Sequence, residues 1–272
     1  MIAIGSPAHH HTGSERPAAI HDDRTSRRSG LHCHGVALVT VPVIDLVPVT
    51  PRSRLVVIDL RGQTLPFLPG QAVIIGAHGQ EQRRPYSIAC SPERTAETGR
   101  LELLITAEPG GDLGPGMATA TPGMLVDVEG PLGLFTLPGE GHHRRILFVA
   151  GGTGIAPLRS MLDHLLRRQA PPAMSLLYSA RRSDEFAFID ELREHAETGR
   201  LELHQTVTRD DSATWGGRRG RIGRSHFEAV LHDPAATLCF VCGPAPLVSE
   251  SVLVLEALGV PGQHIRTEQW GR

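Results

Sequence analysis

"FVAGGTGIAPLRS", residues 148–160, decides how the second half of this chain folds. An apolar run ends in Gly151, Gly152 and Gly154, and an amphipathic pattern begins directly after them. That order is a buried strand, a glycine loop and a helix. Small residues at such a turn let backbone N–H groups approach a phosphate at the positive end of the helix. Pro157 suits a first helical turn. No Gly-Lys-Ser/Thr follows, so the loop is not a Walker A loop, and its spacing is not G-x-G-x-x-G. A tight strand-to-helix turn with no ligand would obey the same grammar.

Downstream, the same alternation repeats. "PLRSMLDHLLRR" places Leu158, Met161, Leu162, Leu165 and Leu166 on one helical face, with Arg159, Asp163, His164, Arg167 and Arg168 facing the other way. "MSLLYSA", "LELHQTV", "TLCFVCG" and "HIRTEQW" have strand patterns. "DEFAFIDELREHA", "SHFEAVL" and "APLVSESVLVLEAL" have helical ones, with Ser225 and Glu228 at capping-box spacing and Gly259 as a stop. Strands alternating with helices predict a parallel sheet covered on both faces.

Upstream the grammar differs. Residues 33–137 contain short apolar or alternating runs such as "VALVTV", "RLVVIDL", "AVIIGA" and "LELLITA", broken by "LPG", "SPE" and "TPG". This predicts an antiparallel β-barrel. The expected organisation is a disordered Ser/Arg/His/Pro-rich tail over 1–30, a β-barrel domain over 31–142 and an α/β domain over 143–272. The tail's His9-His10-His11 run carries no expected site.

Composition narrows the function. The chain has 272 residues, a formal net charge of −2 and 40% hydrophobic residues. It lacks the basic footprint of a nucleic-acid binder or of a protein drawn to an anionic membrane. No apolar run is long and uncharged enough to span a membrane, and the N-terminus lacks an apolar signal core. The four cysteines, Cys33, Cys90, Cys239 and Cys242, are too scattered for a metal or iron–sulfur site within this chain, and they suit a reducing, cytoplasmic compartment. Cys239 and Cys242 are spaced as C-x-x-C, but on a strand they point to opposite faces and cannot form a disulfide. Cys239 then packs as a small hydrophobe, and Cys242 ends the strand.

Three further stretches carry chemistry. "RRPYSIAC", residues 83–90, puts Arg84 and Tyr86 on one face of a strand and Pro85 and Ser87 on the other. Arginine suits a phosphate and tyrosine an aromatic ring, although an edge strand with a surface arginine would look alike. "EGPLGLFTL", residues 129–137, contains a Gly-Pro turn. "CGPAP", residues 242–246, ends a parallel strand, at the edge where ligands of such sheets bind.

In this order, R-x-Y-S, G-P-x-G-x-F, G-G-T-G-I-A-P, C-G-P and a late aromatic residue resemble the ferredoxin–NADP reductase superfamily, over about residues 33–272. The resemblance implies a flavin-binding β-barrel followed by a nucleotide-binding α/β domain, with FAD as cofactor and NADPH or NADH as hydride donor. It implies that Arg84 holds the flavin phosphates, that Pro85 and Tyr86 lie against the flavin and that Ser87 stands near its N5. It implies that Gly151, Gly152, Thr153 and Gly154 form the pyrophosphate turn and that Cys242, Gly243 and Pro244 lie under the nicotinamide. Glu268 and Trp270 resemble the acid and aromatic that flank the flavin; Ser87, Cys242 and Glu268 are the catalytic candidates.

Two departures stand out. "GGDLGPG" offers Gly111 and Gly114 for a second phosphate contact but no hydroxyl at the family's spacing. Trp270 replaces the usual tyrosine or phenylalanine and has two residues after it. For the nucleotide's 2′-phosphate the candidates are Arg181, Arg182, Thr208 and Arg209, so NADPH is the expected donor. No ferredoxin-like cysteine cluster is attached, so the expected acceptor is a separate ferredoxin, flavodoxin or oxygenase component. The competing expectations are an electron-transfer subunit of a larger redox complex and a non-catalytic nucleotide sensor on the same fold.

Overall fold

The computed structural model describes residues 37–107, 117, 120–139 and 144–270. The tail, Cys33, Gly111 and Gly114 lie outside the described residues. Strands β1 (Ala37–Thr50), β2 (Ser53–Asp59), β3 (Ala72–Ala77), β4 (Arg84–Ser87), β5 (Arg100–Thr106) and β6 (Leu125–Leu132) form an antiparallel sheet ordered β4-β3-β6-β1-β2-β5. A bridge between Ile88 and Leu103, with the Ala89 N–H donating to the Glu102 carbonyl at 2.8 Å, brings the two outer strands together and closes the barrel. β1 serves both sides: its first half, to Pro42, pairs with β6 and its second half, from Val43 on, with β2. Val41, Ile58, Ile75, Leu103 and Val128 fill the interior.

"SPE" is not merely a break. It opens helix α1 (Pro92–Thr98). The Ser91 hydroxyl accepts the Arg94 N–H at 3.1 Å, Pro92 occupies the first turn, and Gly99 ends the helix at φ +68°.

The second sheet holds β7 (Arg145–Gly151), β8 (Ala173–Ala180), β9 (Glu202–Val207), β10 (Arg218–Arg219), β11 (Thr237–Gly243) and β12 (Ile265–Gln269). All are parallel, in the order β10-β9-β8-β7-β11-β12. Every residue of β11 is buried, as a strand covered on both faces requires. Helices α2 (Ile155–Leu166) and α3 (Ile189–Glu197) pack on one face. Helices α4 (Arg224–Val230) and α5 (Ala245–Ala257) pack on the other. Cys239 falls in one of these layers and Cys242 in the opposite one, and both are free thiols. Among the described residues no helix is long and apolar enough to cross a membrane.

Two local expectations are corrected. Helix α3 begins at Ile189, not at Asp184. Phe186 is drawn into the core against Tyr178, ring centroids 5.0 Å apart, and the Ala187 N–H donates to the Tyr178 hydroxyl at 3.1 Å. These tertiary contacts outweigh helical pattern, and Phe188 turns the chain at φ +59°. Helix α4 is capped at Gly223, whose N–H donates to His226 Nδ1 at 3.2 Å, while Glu228 pairs with Arg224 instead of capping with Ser225. Finally, Arg159, on the face opposite the leucines, is not left to solvent as a polar helix face commonly is. It is 4% exposed, because the polar face of α2 packs against the barrel.

Candidate active site at the meeting of barrel and parallel sheet

The strand order reverses between β7 and β11, one leading to β8 and β9, the other to β12. Ligands of open parallel sheets bind beyond the carboxyl ends of strands at such a switch. The glycine loop follows β7 and Cys-Gly-Pro follows β11, so the two loops are neighbours. A Cβ on Gly154 would strike the Cys242 carbonyl, and one on Gly151 would lie 2.5 Å from Leu247 Cδ2 and 3.0 Å from Pro244 Cδ. The loops are therefore pressed together backbone to backbone. Tyr178 braces them from below, its hydroxyl donating to the Gly152 carbonyl at 3.1 Å.

Above lies a cleft of about 610 Å³, within the size range of small-molecule sites. Gly151–Gly154, Gly243, Pro244, Arg181, Thr208, Arg209 and Trp270 line it. Arg182 does not; it is exposed and pairs with Asp184 at 3.3 Å. The barrel contributes Thr50, Arg52, Ser53 and Thr106, which the sequence did not single out. The Thr106 and Thr153 hydroxyls stand 3.5 Å apart across the opening. The only sequence signal of Thr50, Arg52 and Ser53 is a turn between two barrel strands. Arg221, Leu247 and Glu250 complete the wall.

Four expected residues converge behind Trp270, the one of them that lines this cleft, and Glu268 faces a second cavity with Phe135 and Arg266. Glu268 Oε2 accepts from the Trp270 indole at 2.9 Å and from the Ser87 hydroxyl at 3.3 Å, with Cys242 Sγ 4.0 Å away. Adjacent pairing of β11 and β12 puts Cys242 opposite Glu268, and the end of β4 brings in Ser87. Burial pushes the Glu268 carboxyl above its ordinary value, against the hydrogen bonds from Trp270 and Ser87. Burial, then the neighbouring Glu268 charge, holds the Cys242 thiol well above its ordinary value, so it remains S–H.

Arg84, Pro85 and Tyr86 are on β4 beside this cluster but do not line the cleft. Arg84 is exposed and makes no ion pair among the described residues, although its charge acts on the neighbouring Tyr86 phenol. Tyr86 is half-buried against the barrel core. A free guanidinium, an adjacent ring, and Ser87 with its bonded carboxyl fit a phosphate-bearing aromatic cofactor. The glycine loop and its arginines fit a second nucleotide.

A family model described as an oxidoreductase FAD-binding domain matches residues 41–137, and one described as an oxidoreductase NAD-binding domain matches residues 148–252. Ferredoxin–NADP reductase B of Sorangium cellulosum (strain So ce56) is 34% identical over 220 residues, covering 77% of this chain and 87% of that protein. Methane monooxygenase component C of Methylosinus trichosporium is 38% identical over 150 residues, 54% of this chain and 43% of that one. Of solved structures, an Amycolatopsis cytochrome P450 reductase superposes with a TM-score of 0.75 at 24% identity, covering 86% of this chain and 70% of that one.

Proposed function

Since the chain belongs to the ferredoxin–NADP reductase superfamily, whose members bind FAD and NAD(P)H, we propose that it takes hydride from NADPH and passes electrons to a separate one-electron acceptor. A ferredoxin, a flavodoxin or an oxygenase component would serve; similar proteins are named as ferredoxin reductases and as monooxygenase components. Residues 31–142 are assigned to FAD and 143–272 to the nicotinamide nucleotide. The protein works in the reducing cytoplasm, without nucleic acid or membrane as partner.

One observation carries the reading: Ser87 of the barrel, Cys242 of the sheet and the Trp270 indole converge on the Glu268 carboxylate, and Trp270 joins that cluster to the nucleotide cleft. When bound, the flavin supplies the change from two-electron to one-electron chemistry that side chains lack. The chain supplies geometry. Gly151–Gly154 hold the pyrophosphate at the N-terminus of α2. Arg181 and Arg209, with Thr208, meet the 2′-phosphate. Gly243 and Pro244 keep side chains out of the space for the nicotinamide, and Trp270 covers it against water. Glu268 accepts from and orients the Ser87 hydroxyl, while Arg84 and Tyr86 hold the flavin's phosphate and ring.

Purified protein should carry visible flavin absorbance that bleaches on anaerobic mixing with NADPH, and more slowly with NADH. Absence of flavin would overturn the enzyme reading, leaving the nucleotide sensor. Equal rates with the two nucleotides would overturn the NADPH preference alone.

A further inference from the structure

Helix α2 carries a buried charge that no nucleotide contact explains. The guanidinium of Arg159 is shared among separate parts of the chain. Nη1 donates to the Ala89 carbonyl at 2.8 Å and to Glu102 Oε2 at 2.7 Å. Nε and Nη2 donate to the Glu191 carboxylate at 3.1 and 2.8 Å. The Phe188 ring lies 4.3 Å from its central carbon. Burial alone would weaken its charge, but Glu191 and Glu102 reverse that and hold its pKa above the ordinary value.

The partners are informative by position. Ala89 lies just beyond Ser87 on the barrel. Glu102 is on β5, where the barrel closes. Glu191 opens α3, and Phe188 ends the segment whose Glu185 and Ala187 line the cleft. Arg159 itself lies one helical turn past Gly154. The next residue, Ser160, donates to the Cys90 carbonyl at 2.6 Å, extending the same seam. Buried ion pairs contribute little net stability relative to well-packed apolar residues. A planar guanidinium instead fixes direction, because its donors point along set lines. Phe188 shows the constraint in the backbone: a bulky residue sits at φ +59°, a conformation that surroundings must impose.

We propose that Arg159 is a positioning residue for hydride transfer, holding the strand that carries Ser87 and the glycine loop of α2 in one fixed register. The inference rests on the hydride-transfer reading above. It is tested on full-length holoprotein by Arg159→Lys, which keeps the charge but not the planar fork, and by Glu191→Gln, which keeps an acceptor but not the charge. At saturating NADPH the flavin bleaching rate should fall by about tenfold or more in Arg159→Lys, and severalfold in Glu191→Gln, as small misplacements do to a reacting pair. The NADPH dissociation constant should stay within about twofold of wild type. The flavin difference spectrum on binding NADP⁺ should change in both variants, reporting displaced alignment without turnover. A lowered melting temperature with unchanged bleaching rate per bound flavin and unchanged spectrum would overturn the proposal, as would a loss of nucleotide affinity alone. Should Arg159→Lys fail to fold, Glu191→Gln decides by the same measures. Wild-type flavin that NADPH and NADH leave unbleached would instead overturn the hydride-transfer reading and the proposal with it.

Discussion

Glu268 shows how much one carboxyl can be asked to do. It is half-buried, accepts from Trp270 and Ser87, and sits 4.0 Å from a thiol that stays protonated. Because burial raises its pKa, the folded protein keeps this proton at pH values where the unfolded chain has lost it. Stability therefore falls as pH rises above the ordinary glutamate value of 4.5. Glu268→Gln should remove that loss. Its melting temperature should exceed wild type near neutrality and converge with it below 4.5, while bleaching by NADPH slows severalfold. A thermal-melt series across pH, paired with stopped-flow absorbance, checks both. The importance of Glu268 and Trp270 could be inferred from sequence only through family resemblance, since no periodicity marks a lone acid on a last strand. The burial of Arg159 is hidden from sequence for the opposite reason. A helical wheel separates polar from apolar faces but does not say whether water or another part of the chain covers the polar one.

Elements were more legible than their ends. The strand, glycine loop and helix at 148–160 stand where their pattern put them, because apolar runs and glycine placement are local signals. The start of α3 was not legible, since it depends on where Tyr178 and Trp215 hold Phe186. Helix α1 was legible in principle: Ser-Pro-Glu followed by Gly99 is a capped short helix, hidden by the β grammar around it. The closeness of the two site loops is a property of elements too. Gly154→Ala should drive a methyl into the Cys242 carbonyl and cost roughly 1–3 kcal/mol. It should also weaken NADPH binding by about tenfold, with flavin content retained. Isothermal titration and visible absorbance on the same preparation separate these effects.

At the scale of the whole molecule, the polar face of α2 is the seam between barrel and sheet. Asp163 accepts from Arg94 at 3.0 Å and from Arg167 at 3.1 Å, and His164 contacts Glu93 at 2.8 Å. Burial pushes the Asp163 carboxyl up, but Arg94, Ser91 and Arg167 more than reverse this and hold it at about 2. A carboxyl held there rather than at 3.8 contributes roughly 2 kcal/mol at neutral pH. Asp163→Asn should lose that amount, and its deficit should shrink as pH falls from 3.8 toward about 2. Urea midpoints measured across acid pH check the slope. The order of barrel and parallel sheet was readable from the change of period near residue 144, whereas Thr50, Arg52, Ser53 and Thr106 come together only through the pairing of β2 with β1 and β5 and meet the cleft only where the barrel docks on the sheet. The position of β12 has one more consequence. Among the described residues it is the outermost strand, its backbone paired on one flank only, with β11. The acid and the indole thus ride on a margin whose local opening is easier than global unfolding. Warming should then dismantle the reaction centre before the protein, so NADPH-driven bleaching should fail at a lower temperature than the thermal melt of the core.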